Sequence, residues 1–366
     1  MPLPAPSPRA PRLYLRPLGL FFGDEAEAVL RVGQGLPLGG PARACALVEA
    51  TLWAPPEPPD RRILRPRQIE SWLAALPPEL RCRARRLLDR LTGGNLLPRP
   101  QVMGILNVTP DSFSDGGRHA GAEAAVQAGL RMAADGADLI DVGGESTRPG
   151  AAPVPPGEEL RRVLPVIEGL AGAGLRVSVD TRRAAVMEAA VAAGAWMIND
   201  VSGLAHDPRS LAVAAASGAK VVLMHMQGTP ATMNEAPAYE QCALEVFDRL
   251  EARLEACEAA GLPRGRVIVD PGLCFGKHEP HNVDLLRHLA MLLGLGCPLM
   301  LGVSRKGWAE WIERRHPPAD RLPSTLAGNQ WALAMGAGLL RVHDVAAARQ
   351  AVDAWCTIGG HNPTGP

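Results

Sequence analysis

From residue 101 onward, short apolar runs alternate with Ala-rich stretches whose apolar residues recur with a helical period. The runs are almost continuously apolar, which is typical of strands buried on both faces of a sheet. Eight such runs occur, at residues 102–106, 139–143, 176–180, 196–200, 220–225, 267–270, 299–303 and 339–343. The stretches with a helical period lie at residues 122–137, 158–171, 183–195, 239–261 and 324–338.

Eight β-then-α units predict an α/β protein with a (β/α)8 TIM barrel over residues 101–358. That span is close to the roughly 250 residues that are typical of the fold. The alternative is a doubly wound open sheet, which normally has fewer strands. No G-x-G-x-x-G motif follows the first apolar run, as a dinucleotide-binding sheet would require. The sequence therefore favours the closed barrel, followed by a flexible tail at residues 359–366.

The first hundred residues follow a different pattern, which predicts a small α/β extension before the barrel. We expect residues 1–100 to be an accessory domain that packs on the barrel or on its dimer. The hydrophobic pattern does not indicate the function of this domain. Five Arg within 81–90 favour a solvated helix face over a nucleic-acid site, because no aromatic residues are interleaved with them. The predicted elements are, in order, a strand at 12–20, a helix at 24–33, a strand at 42–53, a proline-rich turn at 54–60 and a helix at 67–94 that breaks at Pro77 and Pro78.

Polar side chains follow all eight apolar runs of the predicted barrel, whereas the starts of the runs carry mostly Val, Leu and similar residues. In a TIM barrel the carboxyl ends of the strands form the active-site face. A single Asp or Asn there often only terminates a strand, but polar residues after every run indicate a shared pocket. They are Asn107, Glu145 to Arg148, Asp180, Asn199, Asp200, His225, Asp270, Ser304 to Lys306, Arg341 and His343.

One part of this pocket favours a ligand that donates hydrogen bonds. Asp180 and Asp270 need donors or cations around them to stay charged at the mouth of an apolar barrel. With Asn199 and Lys306 they suit a fused heterocycle whose edge presents N–H and NH2 groups beside a carbonyl. The alternative interpretation is that each Asp only caps a helix.

The other part of the pocket favours an anion. Arg341 and His343 precede Asp344, which we interpret as the N-cap of a helix, and such a helix start is a ready phosphate site. The loop NVTPDSFSDGG at 107–117 carries hydroxyls and carboxylates but no Lys or Arg, so it suits phosphate only together with Mg²⁺. Asn107 would offer its amide oxygen to that ion. The alternative for this loop is an ordinary mobile turn.

Composition narrows the partners further. The 38 basic and 38 acidic residues give no overall field that would attract nucleic acid or an anionic membrane. Seven cysteines without a C-x-x-C pair predict reduced thiols in a cytoplasmic protein. The opening segment lacks the apolar core of a signal peptide, and the longest apolar run is too short to span a bilayer. Against 35 Arg, the chain keeps Lys only at 220, 277 and 306. A compact ammonium suits a tight pocket better than a planar fork, and the alternative explanation for each of these lysines is chance.

Eight sequence blocks resemble dihydropteroate synthases, in order and across essentially all of residues 101–358. The first two, MGILNVTPDSFSDGG and IDVGGESTRPGA, are long and specific. The methyltetrahydrofolate methyltransferase group shares the Asp and Asn pattern but is not expected to show the STRPG and SRK blocks. The other six blocks are SVDT, WMIND, VVLMHMQGTP, DPGLCFGK, LGVSRKG and LLRVHDV.

The resemblance implies a homodimeric transferase of folate biosynthesis that uses Mg²⁺ and is a sulfonamide target. It would join p-aminobenzoate to 6-hydroxymethyl-7,8-dihydropterin pyrophosphate and release pyrophosphate, with residues 107–117 as a mobile lid. The implied catalytic residues are Asp180, Lys306, Arg341 and His343. The implied binding residues are Asp180, Asn199, Asp270 and Lys306 for the pterin, Asn107, Arg341 and His343 for pyrophosphate and its Mg²⁺, and Thr147, Arg148, Pro149, Phe275 and Lys306 for p-aminobenzoate, with Ser304 and Arg305 in support.

Three residues depart from the pattern of that family. Leu273 and Cys274 stand where an apolar or aromatic residue and Gly are general, and Gly307 stands where Ser is frequent. We expect slightly altered p-aminobenzoate or sulfonamide affinity without loss of activity. The alternative function is a non-catalytic pterin-binding homologue that uses residues 1–100 as an interaction module, but the intact Arg148 and Lys306 argue against decay of the site.

Overall fold

The computed structural model of the chain describes residues 10–108, 117–146 and 154–359. Within these ranges the chain forms a small antiparallel sheet with helices, followed by a ring of parallel strands. None of the helices in the described ranges is long and apolar enough to cross a membrane.

The extension is organised around one long central strand, β3. This strand pairs antiparallel with β1 along its whole length, and its other edge pairs with β2 and β4. The helix break predicted at Pro77 and Pro78 is present between α2 and α3. The elements are β1 (Arg12–Phe22), α1 (Gly23–Arg31), β2 (Leu36–Pro37), β3 (Arg43–Trp53), β4 (Asp60–Leu64), α2 (Ile69–Ala75) and α3 (Pro78–Gly93).

Eight parallel strands alternate with helices and confirm the predicted TIM barrel. Strands β5 to β10 pair in sequence, and β11 and β12 complete the ring by pairing with each other and with β5. The gap between β10 and β11 is spanned by a bridge from Val269 to Leu299. The strands are β5 (Gln101–Asn107), β6 (Leu139–Gly143), β7 (Val177–Asp180), β8 (Met197–Asp200), β9 (Lys220–Met224), β10 (Val267–Asp270), β11 (Met300–Leu301) and β12 (Leu339–Val342).

The helices differ from the prediction more than the strands do. The five predicted helices are present, as is the helix predicted after Asp344, and so are three shorter ones, α7, α9 and α10, that the helical period did not indicate. The helices are α4 (Gly117–Ala134), α5 (Pro156–Gly172), α6 (Ala184–Ala192), α7 (Ser210–Ala216), α8 (Cys242–Ala259), α9 (Glu279–Arg287), α10 (Glu310–Arg315), α11 (Leu322–Ala334) and α12 (Val345–Ile358).

Strand β11 is shorter than the predicted run at 299–303. The chain turns immediately after it, where the amide of Lys306 donates to the carbonyl of Val303 over 3.1 Å. The turn takes the backbone away from β12, so the pairing stops at Leu301. It also brings the segment from Ser304 to Lys306 to the end of the barrel that carries the other polar residues.

The interior of the barrel is filled by a buried apolar layer below those polar residues. The layer takes one side chain from each of seven strands, which places it inside the ring and not between strands and helices. Its members are Met103, Leu139, Met197, Val222, Ile268, Met300 and Leu339. The polar pocket therefore has an apolar floor.

The extension packs on the flank of the barrel through buried charges as well as apolar side chains. Glu251 of α8 accepts hydrogen bonds from Arg83 over 2.8 Å and from Arg90 over 2.6 Å, both of α3. Asp248, one turn earlier, accepts a 2.8 Å bond from the hydroxyl of Tyr14 in β1. We call this group the seam cluster; it consists of Arg12, Tyr14, Arg83, Arg90, Asp248 and Glu251.

Candidate active site

The strand register brings three of the predicted site residues together. Asn107 pairs with Gly143, Gly143 with Asp180, and Asp180 with Asn199, so these residues lie side by side at the carboxyl ends of four neighbouring strands. Gly143 matters because it lacks a side chain. A β-carbon there would lie 3.8 Å from Asn107 Oδ1 and 3.7 Å from Asp180 Oδ2. The glycine therefore keeps open a space into which both oxygens project.

Arg341 reaches across the barrel and binds two carboxylates. Its Nη2 donates to Asp180 Oδ2 over 2.8 Å, and its Nε donates to Asp141 Oδ2 over 2.7 Å. The same Asp141 oxygen accepts a 2.9 Å bond from Asn199 Nδ2. Asp141 was not predicted as a site residue, yet it holds both Arg341 and Asn199. The signal that could have revealed it is an acidic residue in the middle of a buried apolar run, LIDVG.

At two carboxylates in the mouth of the barrel, the cost of burial exceeds the stabilisation by nearby cations. Burial raises the pKa of Asp180 to about 7; Arg341 opposes the rise, whereas Asp141, Glu159 and Asp200 add to it. Burial likewise raises the pKa of Asp200 to about 6, although Ser202 and Leu204 donate hydrogen bonds to its carboxylate. A ligand that brings donors or positive charge to this site would offset that cost.

Asp270 and Lys306 form the next part of the pocket. Burial raises the pKa of Asp270, and the nearby Lys306 acts against that rise. The Oδ1 atom of Asp270 accepts a 2.7 Å bond from the amide of Gly272. Lys306 Nζ donates to the carbonyl of Leu273 over 2.9 Å and lies 4.7 Å from the centre of the Phe275 ring. The loop after β10 thus supplies both contacts that orient the Lys306 ammonium.

Ser304 and His343 are joined at the ends of β11 and β12. The His343 amide donates to Ser304 Oγ over 3.0 Å, and the same Oγ lies 3.0 Å from His343 Nδ1. A hydroxyl donates one hydrogen bond and accepts up to two, so the contact between Oγ and Nδ1 forms with either atom as the donor. Ser304 therefore sets the orientation of the imidazole, as a supporting residue would.

Asp344 is the N-cap residue of α12, as the sequence predicts, but its side chain binds elsewhere. That side chain makes no capping hydrogen bond. Its carboxylate instead accepts two bonds from Arg305, of 3.0 and 2.5 Å. The pair ties the turn after β11 to the turn after β12. It also supports the backbone of Arg305, whose left-handed conformation, with φ of 58°, needs contacts that hold it in place.

Three predicted p-aminobenzoate residues, Thr147, Arg148 and Pro149, lie outside the described residues, as does the predicted lid beyond Val108. The two described ends of the 147–153 segment are tied together. Glu145 Oε1 accepts a 3.0 Å bond from the amide of Val154. Arg183 also donates to both carboxylate oxygens of Glu145.

Asn107 suits the oxygen chemistry of Mg²⁺. Its amide Oδ1 is an uncharged oxygen donor, and it projects into the space over Gly143 that the carboxylate of Asp180 also faces. Mg²⁺ takes few protein ligands and fills its remaining positions with water and phosphate oxygens. No cluster of three or more His, Cys, Asp or Glu side chains suited to a metal occurs among the described residues. The donor set fits an ion that arrives with its substrate better than a structural metal.

Comparison with known proteins gives a consistent result. Residues 103–343 match the family model described as pterin binding enzyme. A dihydropteroate synthase of Neisseria meningitidis serogroup C is 43% identical over 266 residues, which cover 72% of this chain and 94% of the relative. A solved dihydropteroate synthase of Xanthomonas albilineans with 4-aminobenzoic acid is 50% identical, with a TM-score of 0.67 over 72% of this chain and 95% of that chain. A second structure from that organism, in complex with 7,8-dihydropteroate, is 47% identical, with a TM-score of 0.65 over the same shares of both chains.

Proposed function

The chain belongs to the family of pterin binding enzymes, and we propose that it is a dihydropteroate synthase. The reaction would join p-aminobenzoate to 6-hydroxymethyl-7,8-dihydropterin pyrophosphate, giving 7,8-dihydropteroate and pyrophosphate. The observation that carries the proposal is the arrangement at the barrel mouth. Buried carboxylates whose burial is not offset by nearby cations lie beside one arginine and one histidine that would suit an anionic leaving group.

The pterin would occupy the side of the pocket that accepts hydrogen bonds. Asp180 and Asp270 are buried carboxylates that need donors, and a pterin edge presents N–H and NH2 groups. Gly272 already uses Oδ1 of Asp270, which leaves the other oxygen for the ligand. Asn199 is fixed by its bond to Asp141, so its amide oxygen has a defined direction. Binding of the pterin would therefore relieve an unfavourable concentration of negative charge.

The bond that breaks joins the pterin methylene to a pyrophosphate oxygen, and its electron pair leaves with pyrophosphate. Positive charge then develops on the methylene, and the carboxylate of Asp180 stabilises it. Arg341 Nη2 donates to Asp180 Oδ2. A pyrophosphate that attracts Arg341 would free Asp180 to act on the developing cation. The imidazole of His343, oriented by Ser304, would donate from Nε2 to the leaving oxygens.

The amine of p-aminobenzoate completes the reaction. Its nitrogen lone pair forms the new bond to the methylene, and the amine then loses a proton to water. Lys306 and Phe275 lie where they would bind this substrate beside the pterin, and we expect Thr147, Arg148 and Pro149 to contribute. No side chain needs to form a covalent intermediate.

We propose Asn107 as the protein ligand of Mg²⁺. When bound, the ion would neutralise negative charge on the pyrophosphate as it leaves. The protein's own part is to hold the Asn107 amide at the end of β5, next to Gly143 and Asp180.

We further propose a homodimer in the cytoplasm. An apolar groove of about 450 Å³ lies between β1, α11 and α12, and Trp331 and Ile358 are exposed on these helices. Such a surface favours contact with a second copy. All seven cysteines are free of disulfides, which supports a reducing compartment. Sedimentation of the protein and of an Ile358→Glu variant tests the dimer; a monomeric parent protein would contradict it.

For the extension we propose the role of an accessory domain that stabilises the barrel through the seam cluster. Deleting residues 1–95 should then lower the unfolding temperature, because it leaves Asp248 and Glu251 without their cations. Unchanged stability, assembly and rate would contradict this role.

Release of pyrophosphate by the purified protein tests the proposed activity. The reaction receives 6-hydroxymethyl-7,8-dihydropterin pyrophosphate, with and without p-aminobenzoate and with Mg²⁺ or a chelator. Release that requires both p-aminobenzoate and Mg²⁺ is the expected result. Binding of the pterin without any release would instead indicate a non-catalytic receptor.

A further inference from the structure

Lys277 is a buried lysine whose surroundings are unusual. Its Nζ atom lies within 3.2 Å of four acceptors, and the residue is 4% exposed. Three of the acceptors are the carbonyls of His225, Gly272 and Phe275, and the fourth is His225 Nδ1. No carboxylate is bonded to it in the described structure. Burial lowers the pKa of Lys277 to about 7, although the nearby Asp270 acts against that fall.

The loop around Lys277 is strained. Gly272, Cys274 and Gly276 have left-handed backbone conformations, with φ of 68°, 65° and 62°. Cys274 has a β-carbon, so its conformation is unfavourable for an L-residue. Alternating left-handed residues turn the carbonyls of Gly272 and Phe275 toward one point. Such a backbone persists only where its surroundings fix it, and Lys277 donates to the carbonyls on both sides of Cys274.

A compact ammonium is suited to this position, and a guanidinium is not. The acceptors converge on a single atom, whereas the donors of arginine are spread over a planar fork. The chain has 35 Arg and three Lys, so lysine at this position is a departure from its own composition.

The same loop carries both contacts of Lys306. The carbonyl of Leu273 accepts from Lys306 Nζ, and the ring of Phe275 lies 4.7 Å from that atom. If the carbonyls of Gly272 and Phe275 lost their common donor, Leu273 and Phe275 would shift with the backbone between them. Lys277 touches neither substrate in the proposed site, so its effect is exerted through Lys306 and Phe275.

We propose that Lys277 is a positioning residue for p-aminobenzoate: by binding the carbonyls of Gly272 and Phe275 it fixes the loop that aligns Lys306 and Phe275. This inference rests on the proposed synthase activity. Lys277 lies behind the proposed p-aminobenzoate pocket, whereas Lys306 and Phe275 line it.

The test compares Lys277→Met with a matched control, Lys220→Met. Lys220 is the first residue of β9, and its Nζ donates to one carbonyl, that of Gly265. In Lys277→Met the KM for p-aminobenzoate should rise about tenfold, while kcat and the Kd for the pterin pyrophosphate stay within about threefold of the parent values. Lys220→Met should leave all three unchanged. A general loss of stability would raise the Kd for the pterin pyrophosphate as well. A rise in the KM for p-aminobenzoate alone therefore indicates a positioning role.

A second variant covers the case in which Lys277→Met does not fold. Asn282 of α9 accepts from the amide of Cys274 over 2.9 Å and donates to the carbonyl of Lys277 over 3.3 Å, so it supports the same loop without a charge. Asn282→Ala should raise the KM for p-aminobenzoate about threefold, again with the pterin Kd unchanged. An unchanged KM in a folded Lys277→Met or in Asn282→Ala would overturn the inference.

The outcome for the inference is separate from that for the activity. If the parent protein releases no pyrophosphate, the proposed function fails. Calorimetric titration of p-aminobenzoate into the protein with dihydropterin and pyrophosphate present then measures the effect of Lys277→Met directly. Equal p-aminobenzoate affinity in parent and variant would overturn the inference in that case also.

Discussion

The barrel mouth and the seam cluster both bury carboxylates, but they supply them with cations differently. At the seam, three guanidinium groups and a phenol surround two carboxylates. At the mouth, the one guanidinium of Arg341 is shared between Asp141 and Asp180. Burial acts to raise the pKa of Glu251 at the seam, but its arginine partners outweigh burial and the pKa is lowered. Burial prevails for Asp180, whose pKa rises to about 7.

This difference distinguishes carboxylates that stabilise the fold from those that we propose to bind a ligand. Asp248 is the intermediate case, since burial raises its pKa to about 6 although Arg12 and Tyr14 contact it. A carboxylate with enough partners stabilises the folded chain, whereas one without them destabilises the chain until a ligand arrives. The following variants test that contrast.

The largest expected effect is on catalysis. Asp180→Asn keeps the shape of the side chain but removes the charge that would stabilise the developing cation. We expect kcat/KM to fall by roughly 10³-fold, within the range for loss of one electrostatic contact to a transition state. Steady-state pyrophosphate release measures it. A fall of less than fivefold would show that Asp180 does not act on the reacting carbon.

A smaller effect on stability is expected at the seam. Glu251→Gln removes the carboxylate that Arg83 and Arg90 share and leaves Arg83 only a 3.9 Å contact with Asp248, so we expect a loss of about 2–3 kcal/mol in the free energy of unfolding. Urea denaturation at pH 8 measures it. Glu258→Gln, on the more exposed end of α8, serves as the control and should change stability by less than about 1 kcal/mol. Equal losses in the two variants would contradict a special role for the seam.

The pH dependence of stability should have opposite signs for Asp180 at the mouth and Glu251 at the seam. The folded protein retains a proton on Asp180 between its ordinary pKa of 3.8 and about 7, whereas the unfolded chain releases it, so this group lowers stability as pH rises through that window. In chelator at pH 8, Asp180→Asn should therefore unfold roughly 3 °C above the parent protein, and the gain should vanish near pH 4. The pKa of Glu251 is lowered, so its contribution is present above pH 4.5 and is lost as pH falls below that value. The loss caused by Glu251→Gln should shrink in acid accordingly, and parallel curves for both variants would refute the contrast.

The smallest expected effect concerns a backbone conformation near the mouth. Cys274 has a φ of 65°, which glycine adopts without strain, so Cys274→Gly should raise stability by up to about 1 kcal/mol. Gly307→Ser is the matched change in the other direction. A β-carbon at Gly307 would lie 2.7 Å from Glu313 Cβ, so this variant should displace α10 and lower stability. Thermal unfolding of both variants decides, and a stabilised Gly307→Ser would contradict the packing argument. Slightly altered p-aminobenzoate affinity in both remains our expectation from the family pattern.

The sequence was sufficient for the barrel because its strands are buried on both faces and read as continuous apolar runs. The sequence was insufficient to predict strands and helices whose side chains are only partly buried. Strand β4 has four exposed residues out of five and resembles a charged loop, as edge strands often do. Helix α9 contains His, Asn and Asp in nine residues, too short and too polar for its period to be visible.

The candidate site was predictable at strand ends and not beyond them. Asp180, Asn199 and Asp270 end apolar runs, so the pattern marks them. Asp141 lies within a run, and its importance comes from Arg341, which is 200 residues away and on a strand that does not pair with β6. Such a contact depends on closure of the ring, which local periodicity does not encode. The proposed exchange of Arg341 between carboxylates and a leaving group could not be predicted for the same reason.

One feature of the seam limits how freely these parts can be recombined. Tyr14 meets Phe247 of α8 edge to face, with ring centres 5.7 Å apart, while its hydroxyl binds the adjacent Asp248. Helix α8 is thus part of the barrel in the sequence, but its outward face packs against the extension. A chimaera that joins this extension to another barrel would have to carry α8 with it, or the graft would set arginines against a helix with no matching acids.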